Sequence, residues 1–369
     1  MSEENNANAA TDLIIDKADH GSAWLIDSLP ADVEVADGQI LVEVQRFALT
    51  TNNMSYARAG DFLGYWNFYL APDPAHGRLP VWGFGRVARS AHAEIEEGEE
   101  MFGCFTIATR VILEPGDVSD FAFSEASERR SELHPWYNRF YRTAADPVTQ
   151  AGFRDTQPVL WALFMTGWEL ANEVVDNHTG DGSGVGTVII ASASSKTAWS
   201  MAHSLQGAGL QVVGLTSPGN QTFTESLGCY DSVVAYDDFD PTSVDGDAVL
   251  VDMAGNQSVA KAVHEGLGDR LMDSITVGAT HRGAGAVEGA LAGPPRRFFF
   301  IPTVAETKTA EVGHTAYHQG FAEAWASFAP WAGAHLRIEE RSGADAMLAA
   351  YLAMEGGQTD PTLAQLFTY

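Results

Sequence analysis

The stretch TVIIASASSKTAWSMAHSL, residues 187–205, begins as an apolar strand, passes through a short polar turn and continues as a helix. A strand that turns directly into a helix is the element with which parallel sheets bind the pyrophosphate of a dinucleotide, because the start of the helix carries a partial positive charge. Glycines normally line such a turn, since they permit the bend and let backbone N–H groups approach the phosphates. This turn contains no glycine.

Small and hydroxylated residues take the place of the glycines. Ser194, Ser195 and Thr197 each offer a hydroxyl donor to a phosphate, and Lys196 places a positive charge at the start of the helix. A lysine there is unfavourable for the helix dipole unless an anion is bound. The alternative is that Lys196 points into solvent and that Ser194 or Ser195 only caps the helix. The turn alone favours neither interpretation.

The loop after the next strand bears on the choice of nucleotide. In LTSPGNQ, residues 215–221, Ser217 and its polar neighbours stand where an acidic residue would bind the ribose 2′-hydroxyl of NAD. Without that carboxylate the 2′-phosphate of NADP is not repelled, and Lys196 can supply a cation for it. The loop therefore favours NADP(H).

The pattern around this stretch predicts two kinds of domain. From about residue 158 to 280, helical patterns alternate with short apolar strands, which predicts a parallel, doubly wound sheet. Residues 40–113 instead consist of short alternating strands separated by Gly and Pro, which predicts barrel-like β structure. The C-terminal HLRIEER and LAQLFTY are expected to return to this first domain. We predict an α/β protein with domain limits at 1–150, 151–330 and 331–369.

A basic and aromatic segment, ELHPWYNRFYRTAADP at residues 132–147, separates these two patterns. Its prolines and its lack of a clean period predict an ordered loop or lid. Two roles are open for it: packing aromatic side chains at the domain seam, or covering a substrate.

The composition excludes several classes of function. The net charge is −28, from 49 acidic and 21 basic residues, and such a field repels nucleic acid and anionic lipid. Cys104 and Cys229 are the only cysteines, which argues against a disulfide framework and a structural zinc site. No apolar run reaches the roughly 18 residues that a membrane span needs. We expect a soluble, cytoplasmic protein with no nucleic-acid or membrane partner.

Segments along most of the chain resemble the medium-chain dehydrogenase/reductase superfamily, in its zinc-free branch of quinone oxidoreductases and enoyl reductases. Their order and spacing match the family as well as their residues do. The matching segments are GQILVEVQRFALTTNNMSYARAGDF (38–62), LPVWGFGRVARS (79–90), EGEEMFG (97–103), LFMTGWELA (163–171), the turn at 193–198, LGCYDSVVAYDD (227–238), VDMAGN (251–256) and TVGAT (276–280).

The resemblance implies a Rossmann domain and a GroES-like β-barrel domain, with a small-molecule substrate in the cleft between them and NADP(H) as the cofactor. It adds four candidate cofactor-binding residues, Thr166, Gly255, Gly278 and Thr280. Relatives pair through an edge strand of the Rossmann sheet, so RRFFFIPTV at 296–304 is a candidate homodimer interface, with a buried strand as the alternative. No histidine is assigned a catalytic role, although His281 is expected to face the cleft.

The chain departs from the family at positions that matter for catalysis. Residues 52–55 and 83–85 stand where zinc-dependent relatives have a cysteine and a Gly-His-Glu, so no catalytic zinc is expected. In the zinc-free relatives a tyrosine follows the glycine of the first segment, and here that residue is Phe62. Tyr56 and Tyr65 are the nearest phenols.

Reduction of a polarised C=C bond without a metal requires a hydride, donors to the carbonyl oxygen and a proton for the α carbon. Tyr56 is the candidate proton donor, with Tyr65 as the second phenol; Asn52 or Asn53 is the candidate donor to the carbonyl or the cofactor amide, and Arg58 is available to hold an anionic group. The alternatives are that Tyr56 packs at the domain seam, that Arg58 forms a surface ion pair and that water supplies the proton.

These observations together predict a zinc-independent, NADP(H)-dependent oxidoreductase that reduces an activated C=C bond, as in an enone or enoyl compound, or a quinone. The alternative is a non-catalytic protein that keeps the nucleotide-binding fold as a cofactor sensor or a partner-binding subunit. The glycine-free turn and Phe62 support that alternative, whereas Thr166 and the aromatic residues argue against it.

Overall fold

The computed structural model describes residues 10–179, 184–278, 291–357 and 360–369. The strands are β1 (Thr11–Asp16), β2 (Ala23–Asp27), β3 (Ile40–Leu49), β4 (His76–Gly77), β5 (Pro80–Ser90), β6 (Glu100–Thr106), β7 (Arg110–Leu113), β8 (Pro115–Gly116), β9 (Ala122–Glu125), β10 (Arg139–Arg142), β11 (Val185–Ala191), β12 (Gln211–Thr216), β13 (Ser232–Ala235), β14 (Asp247–Asp252), β15 (Leu271–Thr276), β16 (Arg296–Phe298), β17 (Arg337–Ser342) and β18 (Leu363–Thr368). The helices are α1 (Thr51–Arg58), α2 (Pro147–Gln150), α3 (Gln157–His178), α4 (Lys196–Ser204), α5 (Gln221–Ser226), α6 (Gln257–Leu267), α7 (Ile301–Val312), α8 (His314–Ala334) and α9 (Ala344–Glu355).

The chain forms two compact units, which are 1–161 with 308–369, and 162–307. The first unit is built on β sheets, as the short alternating strands predict. Its larger sheet runs in the order β17-β18-β3-β5-β6-β10-β9-β8, with β7 also paired to β3, and its smaller sheet runs β2-β1-β4. Strand β18 lies antiparallel to β3, and the rings of Phe367 and Phe47 stack with their centroids 5.7 Å apart. The C-terminal strands thus complete the sheet that the N-terminal strands begin.

The second unit contains a six-stranded parallel sheet in the order β13-β12-β11-β14-β15-β16. This is the order of a doubly wound Rossmann sheet, and it confirms the predicted fold class. Apolar side chains of the central strands, among them Ile189, Leu215 and Leu250, are fully buried with those of α6. Continuous apolar strands such as TVIIA are what a sheet covered on both faces requires.

The prediction that residues 132–147 form a loop or lid is wrong, because the segment contains a 3-10 helix and a strand of the sheet. Residues Pro135–Asn138 form a short 3-10 helix, and β10 then pairs with β6 on one side and β9 on the other. Phe140 of β10 is buried over Gly103, where an added Cβ would lie 2.3 Å from the ring. The aromatic residues of this segment therefore build the sheet, and their apolar packing replaces the clean alternation that would have marked a strand.

The segment at 296–304 combines a strand with the start of a helix. Only Arg296–Phe298 pairs with the sheet, at its β16 edge, and α7 begins at Ile301. Phe298 is 57% exposed whereas Phe299 is buried, so the segment is neither a fully buried strand nor a continuous apolar surface. Pairing of two copies through this edge stays a prediction.

A buried ion pair joins distant parts of the first unit. The Nε2 atom of His318, on α8, lies 2.7 Å from Oδ1 of Asp146, 172 residues away, and the ring of Tyr141 stacks on His318 with the centroids 4.4 Å apart. Asp146 also caps α2 by accepting the Thr149 N–H. Burial opposes ionisation of Asp146, but hydrogen bonds from His318 and Thr149 outweigh it and hold the pKa of the carboxyl below its ordinary value.

We expect Asp146→Asn to lower the free energy of unfolding at about pH 7 by about 1–3 kcal/mol, because the buried His318 loses a charged acceptor. A carboxyl whose pKa is depressed in the folded state stabilises that state above its unfolded pKa, and the contribution is lost as the pH falls. The difference in the free energy of unfolding between the wild type and Asp146→Asn should therefore become smaller below about pH 4. Urea denaturation across this pH range measures it.

The exposed Asp240 provides a matched control, because it also caps a short helical turn, by accepting the Thr242 N–H. Asp240→Asn should leave stability nearly unchanged. If Asp146→Asn were as stable as the wild type at neutral pH, a structural role for the His318–Asp146 pair would be contradicted.

Candidate functional site

The glycine-free turn lies between the end of β11 at Ala191 and the start of α4 at Lys196. Its first residue, Ser192, has φ of 61°, in the left-handed region that favours glycine. The hydroxyl of Tyr236 supports it, because its oxygen accepts the Ser192 N–H at 3.1 Å and its hydrogen is donated to Ser192 Oγ at 3.3 Å. Tyr236 follows β13, so it crosses the carboxyl edge of the sheet past β12 to reach the turn.

The next residues of the turn are also held by side chains. The Tyr230 hydroxyl donates to the carbonyl oxygen of Ala193 at 2.8 Å. Nδ2 of Asn220 donates to Ser194 Oγ at 3.2 Å. A network of phenol and amide groups thus fixes the bend that glycine would otherwise permit.

Ser195 is the N-cap of α4, and its Oγ accepts the Ala198 N–H at 3.3 Å. Ser194 and Ser195 therefore both use an oxygen lone pair inside the protein, which leaves the hydroxyl hydrogen of each to be donated elsewhere. Thr197 is half-buried at the second helical position, next to the positive charge of Lys196. Hydroxyl donors, a lysine and a helix start fit a phosphate group at this turn.

A second polar group lies at the end of β14. The carboxylate of Asp252 is buried and accepts the N–H groups of Ala254 and Gly255, while Nη2 of Arg296 lies 2.7 Å from its Oδ2. The arginine neutralises this carboxylate, so the carboxyl edge of the sheet carries no isolated negative charge at Asp252 that would repel an anion. The sequence pattern gave no signal for this pair, since Arg296 lies in the segment assigned to a dimer interface.

The other predicted cofactor residues take up varied positions in the second unit. Thr166 donates its hydroxyl to the carbonyl oxygen of Ala162 at 2.9 Å, within α3. Ser217 begins the 3-10 turn that carries Asn220, and it is half-buried. Gly278 lies close to the backbone of Met253, and an added Cβ would be 2.8 Å from the Met253 carbonyl oxygen.

Thr280 and His281 lie outside the described residues. Gly255 has φ of 74°, which explains the glycine there, and its N–H is directed at Asp252. The roles of all these residues in binding a cofactor stay predictions.

In the first unit, the candidate catalytic residues lie on and around α1. Asn53 is buried, its side-chain oxygen accepts the Thr50 N–H at 2.7 Å, and its Nδ2 donates to the carbonyl oxygen of Pro80 at 2.8 Å. The bond with Thr50 is part of a capping box at the start of α1, and the bond with Pro80 ties the helix to β5. Asn53 thus has a structural task that fixes the position of α1.

Tyr56 lies one turn further along α1 and is buried. Its hydroxyl oxygen accepts a hydrogen bond from the indole Nε1 of Trp82 at 3.2 Å. Burial is the main cause that raises the pKa of Tyr56 far above its ordinary value, although the bonds from Trp82 and Asn52 favour the ionised form. Tyr56 therefore holds its proton firmly.

Tyr65 adds a second phenol to this cluster. Its ring meets that of Tyr56 edge-on with centroids 5.2 Å apart, and its hydroxyl lies 2.9 Å from that of Tyr137. Burial, partly offset by the bond with Tyr137, raises the pKa of Tyr65 to about 12. The structure thus brings Asn52, Tyr56 and Tyr65 together.

Arg58 forms an ion pair and Phe62 is exposed. Nη2 of Arg58 lies 3.2 Å from Oε2 of Glu355, on α9, so the ion pair that was its alternative role is present. Phe62, at the position where zinc-free relatives have a tyrosine, is 88% exposed. A substrate-binding role for Arg58 stays a prediction.

Within 10–179, 184–278, 291–357 and 360–369, no group of three or more His, Cys, Asp or Glu side chains is placed to hold a metal ion. Over the same parts of the chain, no helix has the length and apolar character needed to cross a bilayer.

The parallel sheet of the second unit and the β structure of the first define the fold of the medium-chain dehydrogenases/reductases. Solved structures with this fold include CurA from Vibrio vulnificus, which is 13% identical with a TM-score of 0.56 over 94% of this chain and 93% of that one. An enoyl thioester reductase from Candida tropicalis, in a mutant form, is 10% identical with a TM-score of 0.60 over 98% and 100%. The quinone oxidoreductase from Coxiella burnetii is 14% identical with a TM-score of 0.54 over 98% and 100%. At these identities the likeness shows the fold, and it confirms the predicted Rossmann and GroES-like architecture.

The chain belongs to the family described as a protein of unknown function (DUF2855), whose model matches residues 47–360. A comparison with curated proteins gives no match.

We expect Tyr236→Phe to lower the free energy of unfolding by about 1–2 kcal/mol, because the Ser192 N–H loses its acceptor. Adding Ser192→Gly should recover about 1 kcal/mol, since glycine adopts a left-handed conformation without the steric cost. Chemical denaturation of the single and double variants measures both effects.

Tyr230→Phe is the matched control, because it removes a phenol that holds the carbonyl of Ala193 rather than Ser192. Ser192→Gly should recover less in that background. Equal recovery in the two backgrounds would contradict a specific support of Ser192 by Tyr236.

Proposed function

We propose that this protein is an NADPH-dependent reductase of an activated C=C bond, as in an enone or enoyl compound, or of a quinone. The observation that carries the proposal is the side-chain network at the turn, which shapes a phosphate site without glycine. Tyr236, Tyr230 and Asn220 fix the turn, while the hydroxyls of Ser194 and Ser195 keep a hydrogen to donate.

The preference for NADPH rests on charge. The loop after β12 contributes Ser217, Asn220 and Gln221 and no carboxylate, and Lys196 supplies a cation at the start of α4. The carboxylate of Asp252 is paired with Arg296, so it does not oppose an anionic cofactor. CurA has been solved with NADPH, and Etr1p with NADP and crotonyl-CoA, on the same fold.

The chemistry follows from what the first unit offers. When bound, NADPH would supply a hydride for the polarised double bond. The Tyr56 hydroxyl donates a hydrogen bond to the carbonyl oxygen, where negative charge develops. The α carbon then takes a proton from water, so that one hydride and one proton complete the reduction. The reaction is proposed to need no zinc, because residues 52–55 and 83–85 lack the cysteine and the Gly-His-Glu of zinc-dependent relatives.

Three finer assignments belong to the same proposal. Arg58 is available for an anionic group of the substrate if it exchanges its partner Glu355. Two copies of the chain pair through the β16 edge, where Phe298 is exposed. The protein acts in the cytoplasm, in keeping with two buried cysteines that form no disulfide.

A second candidate function is a sensor or partner-binding protein that binds the nucleotide without turnover. The observation that favours it is Phe62, which replaces the tyrosine of zinc-free relatives and lies exposed. Under this alternative NADPH binds, but no enone or quinone is reduced.

We expect titration of the protein with NADPH, followed by nicotinamide fluorescence, to show a dissociation constant in the micromolar range, and NADH to bind about tenfold more weakly. Lys196→Ala should weaken NADPH binding by about five- to tenfold, or roughly 1 kcal/mol, because a phosphate loses its charged partner. NADH binding should change less if Lys196 serves the 2′-phosphate.

Lys261→Ala is the matched control, since Lys261 is exposed on α6 and pairs with Glu265. It should bind NADPH as the wild type does. Absence of binding by either nucleotide would overturn both candidate functions, whereas binding without reduction of a panel of enones and quinones would favour the second.

A further inference from the structure

Trp82, on β5, is a hydrogen-bonding neighbour of Tyr56 and has no predicted role. Its indole Nε1 lies 3.2 Å from the Tyr56 hydroxyl oxygen. The indole is 4% exposed, and its ring is fixed by Trp161 at 4.6 Å, Trp136 at 5.7 Å and Phe102 at 5.9 Å between centroids. A rigid donor therefore meets the phenol from one side.

The chemistry of the two groups settles the direction of this bond. An indole N–H can only donate, whereas a phenol can both donate and accept. The Tyr56 oxygen must therefore accept from Trp82, and the hydroxyl hydrogen must point in another direction. Because the oxygen accepts from Trp82, the hydroxyl hydrogen of Tyr56 is left to be donated to a ligand.

We propose that Trp82 is a positioning residue, whose indole N–H orients the Tyr56 hydroxyl so that its hydrogen is donated to the carbonyl oxygen of the substrate. This inference rests on the proposed reductase function and deepens it. Tyr56 acts as a hydrogen-bond donor that keeps its proton, and the bond from Trp82 strengthens that donor as charge develops on the carbonyl oxygen.

The surroundings of the phenol are consistent with a donor that does not dissociate. Tyr56 is 6% exposed, and its ring is covered by Tyr65 and Tyr137 at 5.2 and 6.4 Å between centroids. Such burial penalises a phenolate, because the charged form loses its water. The proton for the α carbon must then come from water, and Tyr56 returns unchanged after each turnover.

The test is a double-mutant cycle on the rate of enone reduction by the full-length protein with NADPH. Trp82→Phe removes the N–H but keeps an aromatic ring, and it should lower kcat about tenfold with KM changed less than about threefold. Tyr56→Phe should lower kcat at least as much. Because both variants remove one effect, the double variant should be no slower than Tyr56→Phe.

Trp136→Phe is the matched control, because Trp136 packs against Trp82 and Tyr137 in the same cluster. It should retain the wild-type kcat within about twofold, and all four variants should bind NADPH as the wild type does. If Trp82→Phe lowered kcat by the same factor in the wild-type and Tyr56→Phe backgrounds, the inference would be overturned, since Trp82 would then act through packing.

An independent measurement needs no turnover. In protein labelled with ¹⁵N-tryptophan, the indole N–H signal that disappears in Trp82→Phe should shift in Tyr56→Phe, because its acceptor is lost. An unchanged signal would overturn the bond and with it the inference. If the enzyme turns over but the losses in kcat from Trp82→Phe and Tyr56→Phe are independent, only the role of Trp82 is rejected. If the wild type binds no NADPH, or binds it without reducing enones, the reductase function and the inference are rejected together.

Discussion

The left-handed conformation of Ser192 is the constraint on which the second unit depends. A residue with a Cβ pays about 1–2 kcal/mol for such a backbone, and here the Tyr236 hydroxyl offsets that cost by bonding both the N–H and the Oγ of the serine. This bend allows β11 to turn at once into α4. It thereby sets where Ser195 caps the helix and where Lys196 begins it.

The same principle recurs in the two units. In each unit, hydroxyl oxygens accept hydrogen bonds from the protein, and their own hydrogens are left to be donated. Ser194 accepts from Asn220 and Ser195 from Ala198, as Tyr56 accepts from Trp82. Donor strength is thus built from side chains that are themselves fixed by hydrogen bonds.

The sequence was sufficient to predict most of the fold because strands and helices leave local patterns. The apolar run TVIIA, the turn and the helix after Ser195 lie where the pattern placed them, as do the strands from β12 to β15. Strand β10 was missed, because Phe140 packs over Gly103 and the strand shows no alternation of apolar and polar residues. The contact of β18 with β3 was expected only as a return to the first domain.

The side-chain networks could be predicted less well, because their members are far apart in the sequence. His318 meets Asp146 across 172 residues, and Tyr236 reaches Ser192 from the end of another strand. One signal for Tyr236 was available, namely its place directly after a parallel strand, where side chains reach the ligand edge of such a sheet. Asn52 and Tyr56 were singled out because both lie in the segment 38–62 that carries the resemblance, whereas Trp82 lies on β5, and their roles stay predictions.

We propose that the turn at 192–198 binds the phosphates of NADPH although it has no glycine. Hydrogen–deuterium exchange of the wild-type protein with and without NADPH reports on the backbone amides of the turn itself. NADPH should slow exchange in peptides covering Ser192 to Ala198. Unchanged exchange in those peptides at saturating NADPH would show that the turn does not bind the phosphates.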